Sequence, residues 1–245
     1  MPEPTRKAAT YGAAVIDRAT HLQILSLENA TLLAHRSLIW SEAGNRATMY
    51  LAVLSGVTVT LALAAQATQF GQGFLVFALL LLPVVLYVGI VTLGRLAELN
   101  NEDLRWVQGL HRLRHGMLEL DAAAEPYLTT SAHDDWLSVS NTFSMGADQG
   151  RRATAIHGFR TLPGMIGVVN SLVGAILVGV IAIELGASFS IVVVAGIVTF
   201  PILVLVQLRT GLRSIWRVRE SWIALFPTAT DVSTTDNASP PPTGL

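Results

Sequence analysis

The chain has 245 residues, of which 51% are hydrophobic and 13% charged, with a mean hydropathy of +0.52 and a formal net charge of -1. It contains no cysteine, which excludes disulfides and thiolate metal sites. Four long uncharged runs, at 49–65, 73–93, 165–183 and 189–208, are more than a water-soluble fold would bury, so a polytopic helical membrane protein is expected.

Residues 1–10 read as disordered, and a helix is predicted over 11–45. Leu22, Leu25, Asn29, Leu32, Arg36 and Ile39 alternate by three and four, and Ile24, Leu27, Ala34 and Leu38 form a second stripe. A helix with two apolar faces packs against other helices. Two arrangements fit: a coiled-coil contact between subunits with Asn29 setting register, or packing against another helix of the same chain.

The first span, 49–65, carries Ala52, Gly56, Thr60 and Ala64 along one face, a pattern that permits close helix approach in lipid. The second, 73–93, is 21 residues long, about 30 Å of helix and enough to cross a bilayer's hydrocarbon core. The third, 165–183, repeats the small stripe at Gly167, Ser171, Ala175 and Gly179. Pro83 and Pro201 are expected to kink the second and fourth spans. Met49 and Ser55 recur as Met165 and Ser171 at an offset of 116, which suggests two copies of one two-helix hairpin.

Topology follows from the basic residues. The connections 66–72 and 184–188 contain no Lys or Arg, and all sixteen basic residues lie in the other segments. The positive-inside rule then makes the connections external and both termini cytoplasmic. The expected organisation is a cytoplasmic segment and helix at 1–48, a transmembrane hairpin at 49–94 and a cytoplasmic helical segment at 95–163. A second hairpin at 164–208, an interfacial helix at 209–226 and a disordered tail at 227–245 complete it. No signal peptide pattern precedes the first span, which is expected to serve as the targeting signal.

In the middle segment, 95–123 is predicted to continue the second span as a helix, ended by Glu125 and Pro126. Trp106, Leu110, Leu113, Met117 and Leu120 form a seam along it. Asp134 and Asp135 are expected to cap a short helix starting near Trp136, residues 144–152 read as a flexible loop, and 153–162 leads back to the membrane.

His111, His115 and Glu119 are spaced by four on one predicted helix, so they are candidate metal ligands, with His133, Asp134 and Asp135 in reserve. A solvated polar face explains the same spacing. Nucleophilic catalysis has no support: there is no Cys, no G-x-S-x-G elbow and no phosphate loop, and the one Lys is Lys7. Neither an enzyme nor a cofactor is expected. Within the spans there is no titrating side chain of the kind that pumps and proton-coupled transporters use. Asn170, Ser171, Thr58 and Thr60 are pore-lining candidates if several copies enclose a shared axis; an interhelical hydrogen bond is the plainer role for Asn170. After the fourth span Arg209, Arg213, Arg217 and Arg219, with Trp216, Trp222 and Phe226, form a belt suited to lipid headgroups.

The stretches at 36–56 (RSLIWSEAGNRATMYLAVLSG), 101–120 (NEDLRWVQGLHRLRHGMLEL) and 125–135 (EPYLTTSAHDD) resemble a family of uncharacterised actinobacterial four-span integral membrane proteins. The resemblance implies a plasma-membrane location and transfers no functional residues. A fainter similarity is to two-span pore-forming effectors of bacterial conflict systems, from which this chain differs in having four spans. The expected fold is an all-α membrane bundle. The expected function is a non-enzymatic scaffold or interaction protein that forms a homo-oligomer, with an oligomeric ion or small-solute channel as the alternative. The expected partners are the lipid bilayer, further copies of the chain and a cytoplasmic protein, and not nucleic acid.

Overall fold

The computed structural model describes residues 3–143, 158 and 161–228, with side chains from Asp17 onward. The described residues fold into helices with no strand among them, and four helices are long and apolar enough to cross a membrane. In chain order these elements are α1 (Glu3–Thr68), α2 (Gln72–Leu120), a 3-10 turn (Ala122–Tyr127), α3 (Trp136–Thr142), α4 (Leu162–Glu184) and α5 (Phe189–Glu220).

Several elements differ from expectation. Residues 3–10, expected to be disordered, are helical, and α1 runs without a break through the expected junction at 46–48. Between residues 13 and 55 the only glycine is Gly44 and there is no proline. One glycine costs a helix interior about 1 kcal/mol, too little to end it. The α2 helix ends at Leu120, and Glu125 and Pro126 fall in the 3-10 turn after it. Pro83 and Pro201 lie inside helices that continue on both sides. The α5 helix stops at Glu220, so residues 221–226 are not part of an interfacial helix. The expected loop at 144–152 and most of 153–162 lie outside the described residues, as does the tail from 229 onward.

The chain divides into two units. The first takes residues 1–38, 103–148 and 221–245. Here α1 lies against α2: Leu32 packs on Gly109, Leu25 on Gly116, and the His35 ring stacks on Trp106 at 4.8 Å. Arg36 binds Asp103 with two hydrogen bonds, of 2.6 and 3.1 Å. The stripe that contains Asn29 is therefore used within the chain. From the Trp106 seam Leu110 is buried, and Leu104 and Val107 beside it are buried as well.

The second unit takes residues 39–102 and 149–220. Its apolar core contains Ala47, Val85, Leu96, Ile166 and Val173. Gly89 packs on Asn170, Gly167 approaches Leu93, and Gly174 approaches Leu86, so α2 and α4 run antiparallel in register. Gly167, Gly174 and Gly179 meet Gln207, Leu203 and Val192 of α5 in the same opposed order. Polar ties accompany this packing. Arg95 reaches Glu42 at 3.0 Å and both Glu98 and Glu102 at 3.2 Å, Arg46 reaches Glu42 at 2.8 Å, and Asn101 donates to Ser214 at 2.7 Å.

Candidate functional site

Each unit has a polar centre with fully buried side chains. In the first it is Asp134, whose side chain is fully buried. Its carboxylate accepts the backbone N–H of Leu225 at 3.0 Å, that of Phe226 at 2.7 Å, and the Arg112 guanidinium at 2.6 Å. The Asp134 carbonyl accepts the Trp222 indole N–H at 2.9 Å. Gln108 and Arg112 also donate to the Ile223 carbonyl, at 2.9 and 2.8 Å. Next door, Asp135 divides its oxygens: one caps α3 through Ser138 N–H, and the other accepts Thr228 N–H, both at 2.7 Å.

Together these bonds hold the non-helical segment 222–228 by its backbone. Phe226 stacks on His115 at 3.9 Å, and Trp222 meets Trp136 edge-on at 5.3 Å. Burial pushes the Asp134 carboxyl up, but the Leu225 N–H, Arg112 and the Phe226 N–H outweigh it and hold it below its ordinary value. Asp135 shows the same balance: burial raises it, and the N–H groups of Ser138 and Thr228 bring it down. These two carboxylates are therefore fixed structural anions.

In the second unit the polar centre is formed by Tyr50 of α1 and Asn170 of α4, both fully buried. They meet over Gly89 of α2. A Cβ at Gly89 would overlap the Asn170 carboxamide oxygen and come within 2.9 Å of the Tyr50 ring. Among the described residues the Tyr50 hydroxyl and both ends of the Asn170 carboxamide have no hydrogen-bond partner. Each such group costs about 1–3 kcal/mol in an apolar interior. The Gln207 side-chain oxygen, near Gly167 on the neighbouring turn of α4, also has no partner among the described residues.

The candidate residues from the sequence fall in different surroundings. His111 is fully buried, with Nδ1 2.8 Å from the His133 carbonyl and Nε2 3.3 Å from the Thr142 hydroxyl. A carbonyl only accepts, so Nδ1 carries the proton; burial also lowers the pKa and favours the neutral ring. His115 and Glu119 pair with each other at 3.7 Å and line an open cleft of about 680 Å³ with His133, Glu125 and Thr130. Among the described residues no three His, Cys, Asp or Glu side chains are arranged to hold a metal ion, and His111, His115 and Glu119 do not converge.

The four pore candidates are separated as well. Asn170 and Ser171 are buried inside the chain, and Ser171 donates to the Gly167 carbonyl at 2.9 Å. Thr58 and Thr60 are exposed and donate back to the carbonyls of Leu54 and Gly56. The two small-residue stripes diverge in the same way. Gly167 and Ala175 are buried and Gly179 half-buried, whereas Ala52 and Gly56 are exposed, with open space around Gly56. Arg209, Arg213, Arg217 and Arg219 are exposed along the end of α5, and Arg219 lies 5.0 Å from the Trp216 ring centroid. Trp222 and Phe226, assigned from sequence to the headgroup belt, are instead part of the Asp134 centre.

Comparison with protein families, curated proteins and solved structures finds no match for this chain. Sequence reasoning missed the holding role of Asp134, and it missed Gln108, Gly89 and Tyr50. One signal was available for Asp134: a helix N-terminus needs one capping side chain, and the HDD run supplies a second acid.

Proposed function

We propose that this chain is a non-enzymatic integral membrane interaction protein that self-associates through α1. The observation that carries the reading is the unused stripe of α1 in the first unit. Ile24, Leu27 and Leu38 are 58%, 70% and 66% exposed, and Thr31 and Ala34 continue their three-and-four spacing. Spacing of that kind suits a coiled-coil seam between copies. The other stripe of the helix is occupied within the chain, so association through the spare one needs no refolding.

The arrangement of basic residues supports two transmembrane hairpins with both termini and the middle segment in the cytoplasm. A bacterial plasma membrane is the natural location for such a chain, and the exposed arginines of α5 suit anionic headgroups there. The same stripe would serve a cytoplasmic partner that brings its own apolar helix face.

Light scattering on the purified protein, with the detergent contribution subtracted, tests the reading. The wild type is expected as a closed assembly, and the double variant Ile24→Glu/Leu27→Glu as a folded monomer. A monomeric wild type, or an assembly that the double variant leaves intact, would refute it.

A further inference from the structure

We infer that the buried polar layer of the second unit is a hydration site, in which Tyr50 and Asn170 bind water inside the helix bundle. Two fully buried side chains from different helices, each with polar atoms unpartnered among the described residues, pack over Gly89 of a third: the Asn170 carboxamide and the edge of the Tyr50 ring. The absence of a side chain at Gly89 is what admits the Asn170 carboxamide. An inert apolar core would be served by a leucine at 170 and an alanine at 89. The chain instead buries three polar groups, the Tyr50 hydroxyl and both ends of the Asn170 carboxamide, that find no hydrogen-bond partner among the described residues. Buried polar groups in folded proteins are satisfied, and where protein partners are lacking an ordered water bridges them.

The class of ligand follows from the groups. The phenol both donates and accepts; the carboxamide supplies two donors and an acceptor. A bridging molecule must therefore donate and accept. No Asp, Glu, Lys, Arg or His occurs within 49–65, 73–93, 165–183 or 189–208, so an ion would enter with its charge unbalanced. This inference does not depend on self-association.

Hydroxyl-radical footprinting by X-ray radiolysis, read by mass spectrometry on the full chain in lipid nanodiscs, tests it, because radicals form from water where it is bound. Tyr50 is expected to be oxidised although fully buried, with exposed Tyr127 as the positive control. Tyr50→Phe keeps a reactive ring of nearly the same shape and removes only the hydroxyl. Labelling at position 50 is expected to fall several-fold in that variant and in Asn170→Leu. Where Asn170→Leu does not fold, Tyr50→Phe decides alone. An unlabelled Tyr50 beside a labelled Tyr127 overturns the inference, and so does labelling that Tyr50→Phe leaves unchanged.

Discussion

Asp134 and Phe226 are bonded twice. The Asp134 carboxylate accepts the Phe226 N–H at 2.7 Å, and the Phe226 carbonyl accepts the Asp134 N–H at 3.3 Å. This reciprocal pair, with Arg112 on the same carboxylate, fixes the segment that follows α5 to the first unit. Recognition is mainly of backbone, so the identity of residues 223–225 matters less than the charge at 134.

Asp134→Asn tests that statement. The amide keeps the size of the carboxylate but points one NH2 at donors it cannot satisfy, and it leaves Arg112 without its anion. Arg112 is one third exposed and keeps its bond to the Ile223 carbonyl, so the loss is that of charge-assisted hydrogen bonds, roughly 1.5–3 kcal/mol. Limited proteolysis in detergent is expected to cut the variant within 222–228 under conditions where the wild type is intact. Ile223→Ala serves as the control and is expected to change little, because the hydrogen bonds at that residue are made by its carbonyl and its side chain is exposed. Equal cleavage of the two variants would show that the charge at 134 does not hold the segment.

Acid should loosen the same unit in two steps. His111 is buried neutral, and its pKa lies below the ordinary value of about 6.5. A depressed pKa means that the unfolded chain takes up the proton first. The contribution is whole above about pH 6.5 and declines as pH falls toward the folded-state value. The lowered carboxyls of Asp134 and Asp135 add a second loss below about pH 4. Thermal unfolding between pH 7 and 5 is expected to show a falling midpoint in the wild type and a flatter one in His111→Gln. Equal slopes would remove His111 from the account.

The sequence made the membrane architecture legible because uncharged runs of span length have one physical use. The packing seam along α2 was legible too, since spacing by three and four defines a helix face. The function of a single polar residue was harder to read. Asp134 and Asp135 are adjacent and chemically identical, yet one caps α3 and shares its other oxygen with Thr228, while the other holds Leu225 and Phe226. Only the return of the chain after α5 separates those roles. Likewise α1 offers two apolar stripes of similar quality, and periodicity cannot say which one α2 occupies. Gly89 shows the same limit: its meaning comes from Asn170, eighty-one positions away in the sequence.

Gly89→Ala is expected to strain the second unit. The added methyl would overlap the Asn170 carboxamide oxygen and crowd the Tyr50 ring. Overpacking of a tight core costs about 1–3 kcal/mol. In the double variant Gly89→Ala/Asn170→Ala the carboxamide is gone, and most of the lost thermal stability should return. A double-mutant cycle with additive losses would show that the two positions do not touch.

Gly56 offers the opposite test on the first span. Among the described residues nothing lies within 4 Å of a Cβ placed there, and Gly56 is exposed, so Gly56→Leu should leave the fold intact and its melting point no lower. Any effect of a large side chain at that position must then come from outside the chain. Ala52 and Thr60 extend the same exposed small-residue face, which permits close approach of another helix in lipid. If copies of α1 meet along that face, the leucine holds them apart, and the light-scattering mass of Gly56→Leu drops toward that of one chain while its circular dichroism stays that of the wild type. An assembly of unchanged mass would leave this face to lipid and confine any contact between copies to Ile24, Leu27 and Leu38.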